Sequence, residues 1–431
     1  MQSMLLPCTK MVVEMLKIIK CLIVLIFITQ NVKSAESELD ALALRNLKEY
    51  LQIRSVQPNV NYGPCVNFLK KQAESLNLPV KVVELHPKKP IVIITWEGTE
   101  PEKPSILLNG HMDVVPVFPE EWTYPPFGAE IDERGNIYAR GSQDMKGHSI
   151  QQIEAIRRLI SSGIRLKRTI HLSFVPDEEI GGLTGMKTFV ISSEFKALNV
   201  GFAMDEGDFS TENKFFVSYG EKSWFQIWIN CQGDPGHGSS LLNNTASEKL
   251  RFIIDRFMDY RAREKAKLED PNVKPGNVTS INLTMMKGGT QINVVANELS
   301  VAFDIRLPPQ VNHEEFENMI NDWCKEAGDG VYYTIINKDP PIENTKIDDS
   351  NIYWVAFKNI THNLGMEVEP LIMTGVTDAR FLRFVGIPAF GFMAIHSTPH
   401  LAHASNEFLN KDIFLEGIGI FMKIIPAVAN A

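Results

Sequence analysis

Cysteine is scarce in this chain, with 5 residues among 431. Cys8 and Cys21 belong to an N-terminal segment that we predict to be removed, which leaves Cys65, Cys231 and Cys324. Three cysteines form no disulfide framework, and their odd number leaves at least one free thiol or an intermolecular bond.

Positive charge is also in short supply, since the formal net charge is -9. No basic stripe with interleaved aromatic residues is present, so we expect no nucleic-acid partner. The content of 44% hydrophobic and 22% charged residues is typical of a folded globular protein. A chain of this length exceeds what a single core usually supports, which favours two domains.

Long apolar runs are missing except near the N-terminus, where three lysines precede the apolar run Cys21–Thr29. This run is too short for a membrane-spanning helix, which needs about 20 apolar residues. The pattern is typical of a secretory signal, with cleavage near Ser34–Ala35. We therefore predict a signal peptide at 1–34, location outside the cell or in the secretory lumen, and no stable membrane span. An uncleaved signal anchor is the alternative.

After the signal, apolar strands alternate with amphipathic helices. The strands are nearly continuous in apolar residues and read IVIITWEG, SILLNG, TIHLSFV and VGFAMDEG. Such strands predict an α/β domain whose sheet is covered by helices on both faces. We expect this domain to comprise 35–219 and 336–431.

The segment 220–335 follows a different pattern. Alternating strands, a long charged helix, two further strands, a second helix and a last strand give the order β-α-β-β-α-β. This order is that of a ferredoxin-like fold. We therefore predict an inserted α+β domain.

Metal-binding residue types follow the apolar strands at four places. The four places carry His111 with Asp113, Asp144, Glu178 with Glu179, and Glu206. A fifth candidate, near the C-terminus, is His403. In an α/β sheet, ligands gather at the carboxyl ends of the strands, so the segments are expected to converge.

Each of these residues also has an ordinary structural interpretation. His111 could be a hydrogen-bonded core histidine, Asp144 a helix N-cap, and Glu206 part of a turn. It is less plausible that all four segments carry such residues by accident than that they form one site. Histidine and carboxylate ligands without cysteine suit Zn²⁺. Their number exceeds the three protein ligands of a single catalytic zinc, which favours a two-metal site bridged by one aspartate.

The two glutamates of the PDEE segment, Glu178 and Glu179, are then expected to have different roles. If Glu179 binds a metal, Glu178 stays free to take a proton from the attacking water and to return it to a leaving amine.

The motifs GHMDVVPV, YARGSQDMKG, VPDEEIGG, MDEG, PGHGS and GGTQINVVAN closely resemble the aminoacylase-1 family of zinc-dependent amidohydrolases. The wider clan includes carboxypeptidase G and carnosine-type dipeptidases. The resemblance covers nearly all of the chain after the signal region. It implies a di-zinc exopeptidase-like catalytic domain with a mixed sheet, and an inserted ferredoxin-like domain that acts as lid and dimerisation module.

The resemblance also implies two zinc ions per subunit. One would be held by His111, Asp144 and Glu206, and the other by Asp144, Glu179 and His403. The C-terminal segment LAHASNE departs from the family pattern, which often has two histidines, and His396 and His400 lie nearby.

Further roles follow from the same resemblance. Glu178 would be the general base and acid, and Asp113 would orient the metal-bound His111. His237 in PGHGS would reach the partner subunit's site and stabilise the oxyanion, which implies a homodimer. Asn293 and Arg306 would bind the substrate carboxylate, although Arg306 could also be a surface strand residue.

The resemblance implies hydrolysis of a small N-acyl-L-amino acid to a carboxylate and a free amino acid. A dipeptidase or carboxypeptidase of the same clan is the alternative enzyme. A non-catalytic secreted carrier is a third hypothesis, which the complete set of expected site residues disfavours.

Overall fold

The computed structural model describes residues 37–431. The predicted signal peptide, 1–34, lies outside the described residues. Cys65, Cys231 and Cys324 are buried free thiols.

Ten helices are described. They are α1 (37–51), α2 (Gly63–Ser75), α3 (Lys146–Ser161), α4 (Met186–Phe189), α5 (Ser193–Lys196), α6 (Ala246–Lys267), α7 (His313–Ala327), α8 (Ile352–Asn363), α9 (Ala379–Phe384) and α10 (Lys411–Ala429). None of these helices of the described chain carries an apolar stretch long enough to cross a bilayer.

Seventeen strands accompany them. They are β1 (Val80–His86), β2 (Lys89–Trp96), β3 (Ser105–His111), β4 (Glu130–Ile131), β5 (Asn136–Tyr138), β6 (Ile170–Val175), β7 (Val200–Asp205), β8 (Phe215–Glu221), β9 (Ser223–Gln232), β10 (Gly236–His237), β11 (Ser280–Gly288), β12 (Val294–Val295), β13 (Glu298–Leu307), β14 (Val331–Lys338), β15 (Val368–Met373), β16 (Ala389–Gly391) and β17 (Phe408–Asn410).

The largest sheet has eight strands in the order β1-β2-β6-β3-β7-β16-β8-β15. β3 runs parallel to both β6 and β7, whereas β2 is antiparallel to both β1 and β6. Every residue of β3 and β6 is buried, because helices cover both faces of the sheet. The predicted α/β fold with a mixed, helix-covered sheet is confirmed.

Alternate residues of β2 pack into two different cores, one on each face of the eight-stranded sheet. Val92 and Ile94 join the core beneath α1, α2, α3, α8 and α10, while Ile91 and Ile93 join a smaller core beneath α4, α5 and α9. The side chains of successive strand residues point to opposite faces, so one strand supplies both cores.

The inserted domain carries a four-stranded antiparallel sheet in the order β11-β13-β9-β14. Its core lies on the sheet face that α6 and α7 cover, where Phe225, Ile227 and Phe303 are buried with residues of both helices. The inserted sheet begins at Ser223 and ends at Lys338, whereas the sequence placed its limits at 220 and 335. The ferredoxin-like order is present as expected.

Helix α6 begins with a reciprocal cap. The Thr245 hydroxyl accepts from the Glu248 backbone N–H, and the Glu248 carboxylate accepts from the Thr245 N–H at 3.0 Å. This arrangement satisfies two backbone donors that the helix leaves free.

We predict that Thr245→Ala lowers the free energy of unfolding of the inserted domain by about 1 kcal/mol, because the cap is lost. Thr245→Ser keeps the hydroxyl and should stay near the wild type. Urea unfolding of both variants, followed by tryptophan fluorescence, measures the difference. Equal stability of the Ala and Ser variants would contradict the assignment.

Candidate metal centre

Three strand ends meet at one edge of the eight-stranded sheet. β3 ends at His111, Glu178 and Glu179 follow β6, and Glu206 follows β7. Nε2 of His111 lies 3.6 Å from Oε1 of Glu206 and 3.9 Å from Oε2 of Glu178. The structure therefore brings together side chains that the sequence places on separate strands.

Asp144 lies between two histidines. Its Oδ1 is 3.0 Å from Nε2 of His111, and its Oδ2 is 3.1 Å from Nε2 of His403. The same atom of His403 is 3.0 Å from Oε2 of Glu179. The two oxygens of Asp144 thus face different histidines, which is the arrangement that a bridging carboxylate requires.

Burial and mutual repulsion disturb the carboxylates of this cluster. Burial raises the pKa of Glu178 well above its usual range, and the neighbouring Glu206 adds to the rise. Burial and Asp144 do the same to the pKa of Glu206. Burial, with the charge of Asp144, raises the pKa of Glu179 to about 7. Each carboxylate is therefore costly to ionise beside the others unless a positive charge is present.

The pKa values of the two histidines are also raised, which favours the charged form of these side chains. Hydrogen bonds that His403 donates to the Asp144 and Glu179 carboxylates raise its pKa to about 10. Burial lowers the pKa of His111, but Glu206 and Asp144 outweigh that effect and raise it. Both histidines therefore interact favourably with the neighbouring carboxylates in their protonated form.

The donor set fits a pair of metal ions. Oε1 of Glu179 is buried without a hydrogen-bond partner, and ligand atoms of His111, Asp144 and Glu179 lie within 4.8 Å of one another. Imidazole nitrogens mixed with carboxylate oxygens suit zinc. His111, Asp144 and Glu206 would hold one ion, and Asp144, Glu179 and His403 the other.

The side chains of the acidic triplet Asp177–Glu179 point in different directions. Asp177 points away from the centre, where Lys89 lies 2.6 Å from its Oδ2 and the Tyr62 hydroxyl donates to its Oδ1 at 2.8 Å. Only Glu178 and Glu179 face the metal centre. The charge of Asp177 is thus neutralised by a lysine from β2 rather than by a metal.

Asp113 acts on two neighbours through different groups. Its backbone carbonyl lies 2.9 Å from Nδ1 of His111, whereas its carboxylate is 3.9 Å from that nitrogen. The carboxylate instead accepts from the backbone N–H groups of Glu178 and Glu179, at 3.3 and 3.2 Å, and from Gln57 at 2.7 Å. Asp113 therefore orients His111 through its carbonyl and supports the glutamate turn through its carboxylate.

Glu407 holds the loop that carries Asp144. Its Oε2 accepts from Arg140 at 2.6 Å, and its Oε1 accepts from the backbone N–H of Gln143 at 2.7 Å and of Asp144 at 3.3 Å. Arg140 also donates to the carbonyl of His403 at 3.2 Å. One buried carboxylate thus positions two of the candidate ligands.

The two other C-terminal histidines lie outside the cluster. His396 is 3.1 Å from the Glu416 carboxylate, and His400 stacks on Phe209 with 4.4 Å between ring centroids. Of these histidines, His403 alone pairs with Asp144 and Glu179.

The remaining candidate residues lie on the inserted domain. β10 pairs with β12, so His237 and Asn293 are neighbours, and both are exposed. Nε of Arg306 donates to Asp304 at 2.7 Å. Within the described part of a single chain, none of these three side chains forms a hydrogen bond or ion pair with the metal centre.

Sequence reasoning missed a further buried carboxylate near the centre. Asp378 is buried, and neither of its carboxylate oxygens has a hydrogen-bond partner. It follows β15, which runs antiparallel to β3, β6 and β7, so the strand-end rule that identified the other carboxylates does not apply to it. The roles of Gln57 and Glu407 likewise have no local signal, because each depends on contacts far away in the sequence.

Comparison with known proteins agrees with this geometry. Residues 107–427 match the sequence model of peptidase family M20/M25/M40. The chain is 45% identical to aminoacylase-1 of Mus musculus over 399 residues, which cover 92% of this chain and 97% of the mouse protein.

Solved structures share the fold at lower sequence identity. A metallo-carboxypeptidase of the M20 family from Sulfolobus solfataricus superposes with a TM-score of 0.72 at 19% identity, over 90% of this chain and 99% of that one. Human carnosine dipeptidase 1 gives a TM-score of 0.67 at 16% identity, over 93% and 98% of the two chains.

We predict that Glu407→Gln weakens metal retention by about 10-fold to 100-fold, as is usual when the residues that support metal ligands are altered. The neutral amide leaves the charge of Arg140 unpaired and loosens the loop of Asp144. Competition with a chromogenic chelator measures the zinc affinity. Glu416→Gln, at a half-exposed carboxylate paired with His396, is the matched control, and equal affinities of the two variants would refute the assigned role.

Proposed function

The chain belongs to peptidase family M20/M25/M40, and we propose that it is a zinc-dependent enzyme that hydrolyses N-acyl-L-amino acids to a carboxylate and a free L-amino acid. The observation that carries this proposal is the convergence of five candidate metal ligands around Glu178. Because the 45% identity to an aminoacylase-1 extends over 92% of the chain, the whole architecture supports amide hydrolysis.

Two zinc ions are the cofactor that the donor set supports best. When bound, they would polarise the amide carbonyl and make a water molecule more acidic. Asp144, with one oxygen toward each histidine, would be shared between them.

Glu178 is placed to move the protons of the reaction. Its Oε2 lies 3.9 Å from Nε2 of His111, outside hydrogen-bond distance, so the carboxylate is not committed to that histidine. It takes a proton from the attacking water and delivers one to the amine nitrogen as the C–N bond breaks. The Asp113 carboxylate accepts from the backbone N–H of Glu178 and keeps this turn in place.

We further propose that the enzyme acts as a homodimer. His237 is exposed and makes no ion pair or hydrogen bond with the centre of its own chain, so a second copy would have to bring it there to stabilise the oxyanion. Leu241 and Ile292, which lie near His237 and Asn293 in the sequence, are fully exposed. Met285 and Met286, on the edge strand β11, are also exposed. These apolar residues support an interface with a second copy.

A cleft of about 820 Å³ supports an acylated substrate rather than an unblocked dipeptide. Its lining residues include Val56, Val117, Trp122 and Phe127, and contain no aspartate or glutamate. Arg54 is the charged residue among them. A free α-ammonium group would need a carboxylate partner, whereas an apolar acyl group would not.

Contacts through intermediate residues link this cleft to the metal centre. Gln57, adjacent to the cleft wall in sequence, donates to Asp113 at 2.7 Å. Trp122, on the wall, has the guanidinium of Arg140 5.4 Å above its ring, and Arg140 donates to the carbonyl of His403. We therefore assign the acyl group to this cleft and the amino-acid carboxylate to Arg306 and Asn293.

We propose that the enzyme works outside the cell or in the secretory lumen. The basic segment followed by the apolar run Cys21–Thr29 supports a secretory signal. Its substrates would then be extracellular or luminal acyl amino acids.

The replacement Glu178→Gln should lower kcat for N-acetyl-L-methionine by about 10²-fold to 10⁴-fold, because proton transfer is lost while shape is kept. Zinc content measured by elemental analysis should stay unchanged. Glu212→Gln, at an exposed carboxylate, should keep full activity. Turnover by Glu178→Gln at the wild-type rate would exclude Glu178 as the base.

A charge in the cleft should discriminate against long acyl groups. Each methylene buried contributes about 0.8 kcal/mol, so Val117→Asp should lower kcat/KM more for N-hexanoyl-L-methionine than for N-acetyl-L-methionine. Ile164→Asp, at an exposed apolar side chain just beyond the C-terminal end of α3, serves as control. Equal losses for both substrates would show that the acyl group lies elsewhere. Cleavage of Gly-Leu but of neither acylated substrate by the wild type would favour the dipeptidase alternative.

A further inference from the structure

One face of the inserted sheet lies opposite α6 and α7. Trp224 on β9 pairs across the sheet with Arg306 on β13, and both side chains are half-buried on this face. The Arg306 guanidinium carbon lies 5.1 Å from the centroid of the Trp224 ring. The proposed carboxylate-binding arginine is therefore stacked on a tryptophan.

The same tryptophan contacts the turn that carries the proposed base. Gly181 ends the short helical turn Glu178–Ile180, with φ of 100°. A β-carbon at Gly181 would lie 3.0 Å from Cζ3 of Trp224. The inserted domain thus touches the catalytic turn three residues after Glu178, and glycine permits both the backbone conformation and the close approach.

A buried arginine completes this contact. Nη2 of Arg380 donates to the carbonyl of Gly181 at 2.8 Å, and Nη1 donates to the carbonyl of Thr377 at 3.0 Å. Its guanidinium carbon lies 5.1 Å from the Trp224 ring centroid, and the nearest ion-pair partner, Asp339, is 3.9 Å away. The Phe381 ring, whose centroid is 4.4 Å from the same carbon, and the Trp224 ring therefore both stabilise this buried cation.

The tryptophan is also fixed where the inserted domain joins the main sheet. Its backbone N–H donates to the Asp339 carboxylate at 3.1 Å, and its carbonyl accepts from the Asp339 N–H at 2.9 Å. The indole N–H is buried without a hydrogen-bond partner. The contact with Gly181 and the two arginines thus depends on the ring itself.

We propose that Trp224 is a positioning residue for catalysis, which holds the Gly181 end of the Glu178 turn and links its position to Arg306. This inference rests on the proposed roles of Glu178 and Arg306. A substrate whose carboxylate binds Arg306 would contact a side chain that stacks on the Trp224 ring. The same ring supports the turn that carries Glu178. Loss of the ring should therefore impair the chemical step more than substrate binding.

The test compares Trp224→Ala, Trp224→Leu and Trp224→Phe in the full-length zinc enzyme. We expect kcat for N-acetyl-L-methionine to fall on the order of 10-fold to 100-fold in the Ala and Leu variants, the range known for small misplacements of catalytic groups. KM should change by less, and the phenylalanine variant should recover most of the activity. Trp224→Leu retains an apolar side chain without a ring, so it tests the role of the ring if the Ala variant does not fold.

Trp228→Ala is the matched control. Trp228 lies on the same strand and the same half-buried face, beneath Lys287 at 4.4 Å, away from Gly181. A purely structural effect on the sheet would lower kcat in both variants equally, and that result would overturn the proposal.

Hydrogen exchange provides a readout that does not depend on activity. Amides of the peptide spanning 176–189 should exchange at least several-fold faster in Trp224→Leu than in the wild type or Trp228→Ala. Unchanged exchange together with unchanged kcat would refute the role of Trp224. An inactive wild type whose exchange still responds to Trp224→Leu would instead place the failure in the proposed function.

Discussion

The accumulation of negative charge at the edge of the eight-stranded sheet is the constraint on which the rest of the structure depends. Glu178 and Glu179 follow β6 and Glu206 follows β7, the two strands that flank β3, and Asp144 joins them between two histidines. Burial and repulsion raise the pKa of the three glutamates, so their ionised forms are costly unless positive charge lies among them. The surrounding contacts can be understood as a framework that holds these groups together. Two metal ions would relieve the repulsion and give the cluster its chemistry.

The support for this cluster comes from distant parts of the chain. Lys89 pairs with Asp177, so the first acidic residue of the triplet has its own positive partner away from the centre. Asp113 holds the backbone of the glutamate turn, and Glu407 holds the loop of Asp144. A buried pair between Glu221 and Arg383 lies where the chain enters the inserted domain. The main domain therefore supplies a rigid frame, and the inserted domain adds Trp224 and the candidate substrate residues.

Much of this arrangement could be predicted from the sequence, because apolar strands are recognisable and parallel strands bring their carboxyl ends to one edge. That rule predicts that His111, Glu179 and Glu206 share one site, and the structure brings them together. The α/β fold and the ferredoxin-like order of the insertion followed from apolar patterning in the same way. The double role of Asp113 and the pairing of Lys89 with Asp177 could not be predicted, because they join residues with no local pattern in common.

Zinc stoichiometry, measured by native mass spectrometry of the purified protein, is the most direct test of the account. We predict two zinc ions per chain, with a thermal unfolding temperature that falls on chelation and recovers when zinc is restored. The Asp144→Asn variant should lose both ions together, because Asp144 is the shared ligand. A wild-type chain that binds no metal and unfolds at the same temperature with and without chelator would contradict the account. In that case protons alone would neutralise the cluster.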